Sequence, residues 1–342
     1  MARTRHILAA RDLLLQVESA YVACHIAPDG DAVGSMLALT SVLQALGKRC
    51  VAACADPLPQ KWSFLSGSQA VTCDPPRDEQ VIVSVDCSDV ERLGSLFDPM
   101  AFATRPVINI DHHVTNTGFG TINLVRPLPS TAEIVHILIR QLAVTMDSHI
   151  ANALLVGLVT DTRGFRTANV AARQLRTAIA LLKDGASLPY VTEMCFNREP
   201  LSTVCLWGQA LAMVQTRGRI IWAQVTQDMI KRCNATPDDS SGLVSFLAST
   251  ADMDVAAVFR ELADGLIEVS MRAGLGWDLA DLARSMGGGG HPQAAGCRIR
   301  GELAHVRDHV LQQIELELAK QARARPDHQG PTLAEQAVHP RD

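Results

Sequence analysis

The stretch from Pro106 to His113 constrains this chain most, because an almost unbroken apolar run, Pro106 to Ile110, ends abruptly in Asp111-His112-His113. A run this short and this apolar reads as a strand covered on both faces. Gln80 to Asp86 repeats the pattern and ends in an acid. Tyr21 to Ile26 and Arg49 to Ala55 read as two more strands, and helical spacing resumes between them, from Ala32 to Leu46. Strands that alternate with helices predict an α/β fold with a parallel, doubly wound sheet.

Further helices are expected over 5–18, 130–143, 148–160 and 171–184. A less regular helical stretch around 188–215 reads as a linker. Beyond it, Ile220 to Val225, Asp254 to Phe259 and Leu266 to Met271 read as strands, with helices near 239–249, 278–286 and 302–320. This predicts a smaller C-terminal α/β unit with a mixed sheet. The expected organisation is a domain at 1–185, a helical linker at 186–215, a second domain at 216–320 and a disordered tail at 321–342. The tail loses apolar periodicity and gains Pro326, Gly330, Pro331 and Pro340.

At 342 residues, with 47% hydrophobic and 20% charged residues, the chain is long enough for two well-buried domains. Its net charge of −5 would not draw in a polyanion unaided. Nine cysteines without a Cys-x-x-Cys pair suggest free thiols in a reducing cytoplasm. The N-terminal stretch is broken by Arg11, Asp12, Gln16 and Glu18, so it carries no signal-peptide core. Ala153 to Val159 is far too short to span a membrane.

Four element ends carry acids or imidazoles: His25-x-x-x-Asp29-x-Asp31, Asp86, Asp111-His112-His113, and Asp161 after the helix. Singly, each has an ordinary structural reading, Asp29 as a turn former and Asp31 as a helix cap among them. Jointly, they fall where open α/β sheets bind ligands, outside the carboxyl ends of the strands. Carboxylates converging there would repel one another unless divalent cations joined them. The oxygen and imidazole donors suit manganese, magnesium or iron. Cys24 and Cys87 each adjoin a proposed ligand, so their side chains should point to the opposite face.

This ordered set, with Ala32, Gly34 and Ser35 completing the first motif and Thr160-Asp161-Thr162 the last, resembles the DHH phosphoesterase superfamily over roughly residues 1–185. The resemblance implies that His25 and Asp29 hold one metal, that Asp31, His112 and Asp161 hold the other, and that Asp86 bridges both. It makes Asp86, Asp111 and His113 catalytic, with Asp111 supporting an imidazole and His113 facing the substrate phosphate. It also implies in-line phosphoester hydrolysis by two metals, without a covalent intermediate.

In the second domain, Gly287 to Gly290 could present backbone amides to an anion. Together with His291-Pro292-Gln293-Ala294-Ala295-Gly296, and with Arg272 upstream, it resembles the DHH-associated C-terminal domain. By that resemblance Arg272, Gly288, Gly289, Gly290 and His291 bind the substrate's nucleotide end. Pro292 and Ala273 depart from the family pattern, which bears on base and chain-length preference. Closure of the two domains over substrate is expected, since the two motif sets lie in different domains.

The expected activity is a cytoplasmic, manganese-dependent hydrolase that cuts very short oligoribonucleotides to mononucleotides and acts on 3'-phosphoadenosine-5'-phosphate. A membrane is not an expected partner, and neither is a long nucleic acid, for which no long basic stripe is visible. A homodimer accords with the family, although no residue marks it. Two other readings compete: a cyclic di-AMP phosphodiesterase with the same catalytic residues, and a nucleotide-binding module without catalysis.

Overall fold

The computed structural model describes residues 2–324. The chain forms two compact units that divide between Arg198 and Glu199. The expected linker at 186–215 is therefore shared between them, and its helical pattern is interrupted by Pro200. Among the described residues no helix is long and apolar enough to cross a membrane.

The first unit contains helices α1 (Ala2–Gln16), α2 (Gly30–Ala45), α3 (Pro99–Thr104), α4 (Thr131–Gln141), α5 (Ser148–Asp161), α6 (Ala172–Lys183) and α7 (Leu188–Thr192). Its strands are β1 (Ser19–Cys24), β2 (Arg49–Ala53), β3 (Val81–Val85), β4 (Val107–Asp111) and β5 (Ile122–Val125). They form one sheet in the order β2-β1-β3-β4-β5, parallel throughout. The expected parallel α/β sheet is present. β5 escapes the sequence reading because it is four residues long and half-buried at three of them.

Every residue of β1, β3 and β4 is buried. Val22, Val83 and Ile108 face a cluster that includes Leu39 of α2, Leu138 of α4 and Leu154 of α5. Tyr21, Ile82 and Val107 face the opposite cluster, with Leu93, Leu96 and Ala101. Burial on both faces removes any period-two signal, so these strands read as solid apolar runs. Cys24 joins the first cluster and Cys87 the second, both fully buried.

The second unit contains helices α8 (Leu201–Ala212), α9 (Gln227–Arg232), α10 (Leu243–Leu247), α11 (Ala280–Ser285) and α12 (Leu303–Ala324). Its strands are β6 (Gln215–Arg217), β7 (Ile220–Val225), β8 (Val255–Glu261), β9 (Leu266–Ala273), β10 (Gly289–His291) and β11 (Ala294–Arg300), in the order β10-β11-β9-β8-β7-β6. Only the β7–β8 pair of this mixed sheet is parallel. Helix α12 continues to Ala324, past the expected start of the tail, and residues 325–342 lie outside the described residues.

Two expectations need correction. Cys205 and Cys233 form a disulfide, with Cα atoms 5.5 Å apart, between α8 and the residue following α9. They lie 28 residues apart in sequence, a separation that only tertiary packing closes. The Gly-rich run, whose own pattern reads as a flexible loop, also ends in a strand, since Gly289–His291 pairs with Ala294–Gly296. A Cβ at Gly288 would lie 2.0 Å from the Gly296 carbonyl oxygen, so glycine is required here for close backbone approach.

Helices α2 and α5 meet through glycines. A Cβ at Gly34 would sit 2.2 Å from the Ala153 carbonyl oxygen, and one at Gly157 would sit 2.5 Å from Asp31 Oδ1 and 2.6 Å from Ala132 Cβ. Gly157→Ala should therefore destabilise the chain by about 1–3 kcal/mol through overpacking, outweighing the gain of roughly 1 kcal/mol in helix propensity. A lowered urea midpoint is the expected readout. A midpoint at or above that of the wild type would contradict this packing.

Candidate metal centre

In the sheet order, β1 and β3 are neighbours whose onward connections run to opposite sides, toward β2 and toward β4. This is the switch point at which open α/β sheets form a crevice. His25 follows β1, Asp86 follows β3, and Asp111 ends β4 ahead of His112 and His113. Asp29 caps α2, accepting the amides of Asp31 and Ala32 at 3.0 Å each, and Asp31 lies in the first turn. Asp161 is the last residue of α5.

These ends converge. Asp86 Oδ2 lies 3.6 Å from His25 Nε2, while its Oδ1 lies 3.5 Å from His112 Nε2. His25 Nε2 is also 3.9 Å from Asp29 Oδ1, and His112 Nε2 is 3.3 Å from Asp161 Oδ2. Three donor groups result: His25 with Asp29 and Asp86; Asp31 with His112 and Asp161; and Asp86 with His112 and His113. Within each group the donor atoms lie within 4.8 Å of one another, and no thiol takes part.

The backbone aims these groups. Asp86 adopts a left-handed conformation, φ 61°, and its amide donates to the Ile110 carbonyl at 2.9 Å. Such strain in a non-glycine residue is typical of functional turns. His25 Nδ1 donates to its neighbour Ile26 O at 2.7 Å, and His112 Nδ1 donates to Leu128 O at 3.0 Å. Both rings therefore turn Nε2 toward the carboxylates, as metal-ligating histidines do.

Several supporting groups escaped the sequence reading. The N-terminus of α4 points at the site: Thr131 N and Ala132 N donate to the Asp31 carboxylate at 2.5 and 2.8 Å, and Thr131 Oγ1 donates to Asp86 Oδ1 at 2.8 Å. Ser130-Thr131-Ala132-Glu133 reads in sequence only as a cap, which it also is: Ser130 Oγ accepts the Glu133 amide. Asn116 Nδ2 donates to Asp111 Oδ2 at 2.6 Å, and His113 Nδ1 donates to Asp111 Oδ1 at 2.7 Å. Asp111 is thus occupied in holding its neighbours and belongs to none of the three donor groups.

Burial and the neighbouring carboxylate of Asp86 push the Asp31 carboxyl well above the usual range. Burial and Asp31 do the same to Asp161. Asp86 is held below the usual range despite its burial, because His25, His112 and His113 surround it. His25 is raised to about 9: burial opposes its charge, but its bond to Asp86 and the nearby Asp29 prevail.

This donor set fits divalent cations. The imidazole-to-carboxylate separations of 3.3–3.9 Å exceed the roughly 2.7–2.9 Å of a charge-assisted hydrogen bond. They are close to the spacing of ligands held by a common ion at about 2.1 Å, which sit about 3 Å or more apart. The site can therefore gather divalent cations between its carboxylates and imidazoles.

In the second unit, Arg272 of β9 is in register with Ala294 of β11, which is in register with His291 of β10. Residues aligned across strands project to the same face, so Arg272 and His291 share one face beside the glycine hairpin. Arg272 Nη1 also donates to the Met271 carbonyl at 3.0 Å.

Comparison with known proteins places both units. Residues 19–158 match the DHH family, N-terminal domain, and residues 221–320 match the DHHA1 domain. The chain is 34% identical over 310 residues to the bifunctional oligoribonuclease and PAP phosphatase NrnA of Thermus thermophilus, covering 88% of this chain and 90% of that protein. An exopolyphosphatase-related protein from Bacteroides fragilis shares the fold with a TM-score of 0.84 at 22% identity, covering 93% of this chain and 96% of that one. RecJ of Thermus thermophilus, solved in complex with Mn2+, superposes with a TM-score of 0.55 at 15% identity, over 93% of this chain and 55% of RecJ. With both domains matched in order and the NrnA identity extending over most of both chains, this protein belongs to the DHH family of phosphoesterases.

Proposed function

We propose that this phosphoesterase hydrolyses short oligoribonucleotides to mononucleotides and removes the 3'-phosphate of 3'-phosphoadenosine-5'-phosphate, using two divalent ions with manganese preferred. The observation that carries this reading is the split carboxylate of Asp86, whose two oxygens face different histidines at 3.6 and 3.5 Å. It is supported by the activities named for the Thermus relative and by the manganese bound to RecJ. The net charge of −5 favours short substrates over long polyanions.

In this proposal His25 and Asp29 hold one ion, Asp31, His112 and Asp161 hold the other, and Asp86 serves both. When bound, the ions supply Lewis acidity that neutralises charge building on the phosphate oxygens. Thr131 fixes Asp86 through its hydroxyl. Asp111 accepts the Nδ1 proton of His113 and so orients the ring, which in this reading faces the substrate phosphate. Arg272, Gly288, Gly289, Gly290 and His291 bind the nucleotide end.

A substrate panel under manganese tests the proposal. Release of mononucleotides from pApA and of phosphate from 3'-phosphoadenosine-5'-phosphate is expected, with longer strands and cyclic di-AMP cut more slowly. An inert protein, or one faster on cyclic di-AMP, would overturn it. Asp86→Ala should abolish most turnover and reduce manganese stoichiometry below two ions in calorimetry. Thr131→Val, which removes one hydroxyl behind Asp86, should weaken metal affinity by about 10-fold or more.

Metal binding should also release protons at neutral pH. His25 is raised to about 9, so it holds a proton that a cation displaces, and burial raises Asp31 and Asp161 in the same direction. Affinity should therefore rise with pH. Calorimetry in buffers of different ionisation enthalpy would reveal the released protons, and identical heats in every buffer would refute the expectation.

A further inference from the structure

A guanidinium lies against one of the candidate ligands, and among the described residues no carboxylate pairs with it. Arg92 follows Asp86 in a short 3-10 segment, Glu91–Leu96, and its backbone is tied to the loop that carries His25. Its carbonyl accepts the Ile26 amide at 2.8 Å, and its amide donates to Asp89 Oδ1 at 3.0 Å. Gly94 in the same segment has φ 58°, and a Cβ there would lie 2.6 Å from Ile26 Cγ2. The segment is therefore pressed onto the strand end, which restricts where Arg92 can reach.

Arg92 Nη2 lies 3.0 Å from His25 Nδ1. That nitrogen already gives its proton to the Ile26 carbonyl at 2.7 Å, so it offers no lone pair to a second donor. No ion pair joins Arg92 to a carboxylate among the described residues. Arg49, Arg140 and Arg173 of the same unit are each paired with an acid. A permanently charged fork of donors thus sits at the edge of an acidic metal site, one imidazole ring away from Asp29 and Asp86.

We infer that Arg92 contacts the substrate phosphate at the metal centre, an inference that rests on the phosphoesterase reading above. A phosphate oxygen would supply the acceptor that His25 cannot, and the planar guanidinium suits bidentate binding of that group. Arg92 then binds substrate without holding metal.

The test uses the full chain loaded with manganese and titrated with inorganic phosphate by calorimetry. Arg92→Ala should weaken phosphate binding roughly 10- to 100-fold and Arg92→Lys by less, as loss of a charge-assisted pair implies. Manganese affinity should be unchanged in both variants, and KM for pApA should rise more than kcat falls. Phosphate binding by Arg92→Ala equal to that of wild type would overturn the inference. Loss of manganese affinity would also overturn it, making Arg92 a positioning residue for His25. Wild type that fails to bind phosphate would refute it too, whereas wild type that binds phosphate yet leaves pApA intact would sink the proposed substrate and uphold the contact.

Discussion

Everything at the centre of this molecule answers to the mutual repulsion of buried carboxylates. Asp31, Asp86 and Asp111 are 0–2% exposed, and Asp29 and Asp161 stand beside them. In a low-dielectric crevice such charges cannot coexist without partners. The structure eases the conflict in two ways, imidazoles around Asp86 and backbone amides at Asp31, while burial beside Asp31 still pushes the Asp161 carboxyl well above its usual range. The donor atoms left between these groups, carboxylate oxygens and imidazole nitrogens without a thiol, suit divalent cations.

Holding the acids so close requires rigid supports with little bulk. The N-terminus of α4 supplies both amides and a favourable dipole to Asp31. Gly157 on α5 leaves the room that Asp31 occupies, and Gly34 brings α2 against α5. The same helix pair therefore forms the core of the first unit and fixes Asp31 and Asp161 at its end. Stability and ligand geometry are coupled here, since a methyl group at position 157 would press on both.

The second unit uses glycine for another purpose. Gly288 and Gly290 lie against the backbone of β11, so the hairpin packs more closely than any side chain would permit. That leaves Arg272 and His291 in one row across three strands. That row is set by strand register, not by local sequence.

The chain's own order of residues determined the parallel α/β sheet, the C-terminal mixed sheet and the candidate metal ligands. Short continuous apolar runs bounded by turn residues read as strands covered on both faces, and the acids fall where those runs stop. β5, β6 and β10 were not legible, because edge strands of three or four residues carry too little pattern, and β11 was missed as well, its alternation masked by Gly296, Arg298 and Arg300. Nor were Thr131, Asn116 and Arg92, whose partners lie 45, 5 and 67 residues away. The disulfide between Cys205 and Cys233 was hidden for the same reason. Local sequence records which way a strand or helix must face, because burial acts on each residue in turn. Which hydroxyl, amide or guanidinium meets a given ligand was decided only by tertiary structure, because hydrogen bonds and ion pairs depend on distances that the fold alone creates.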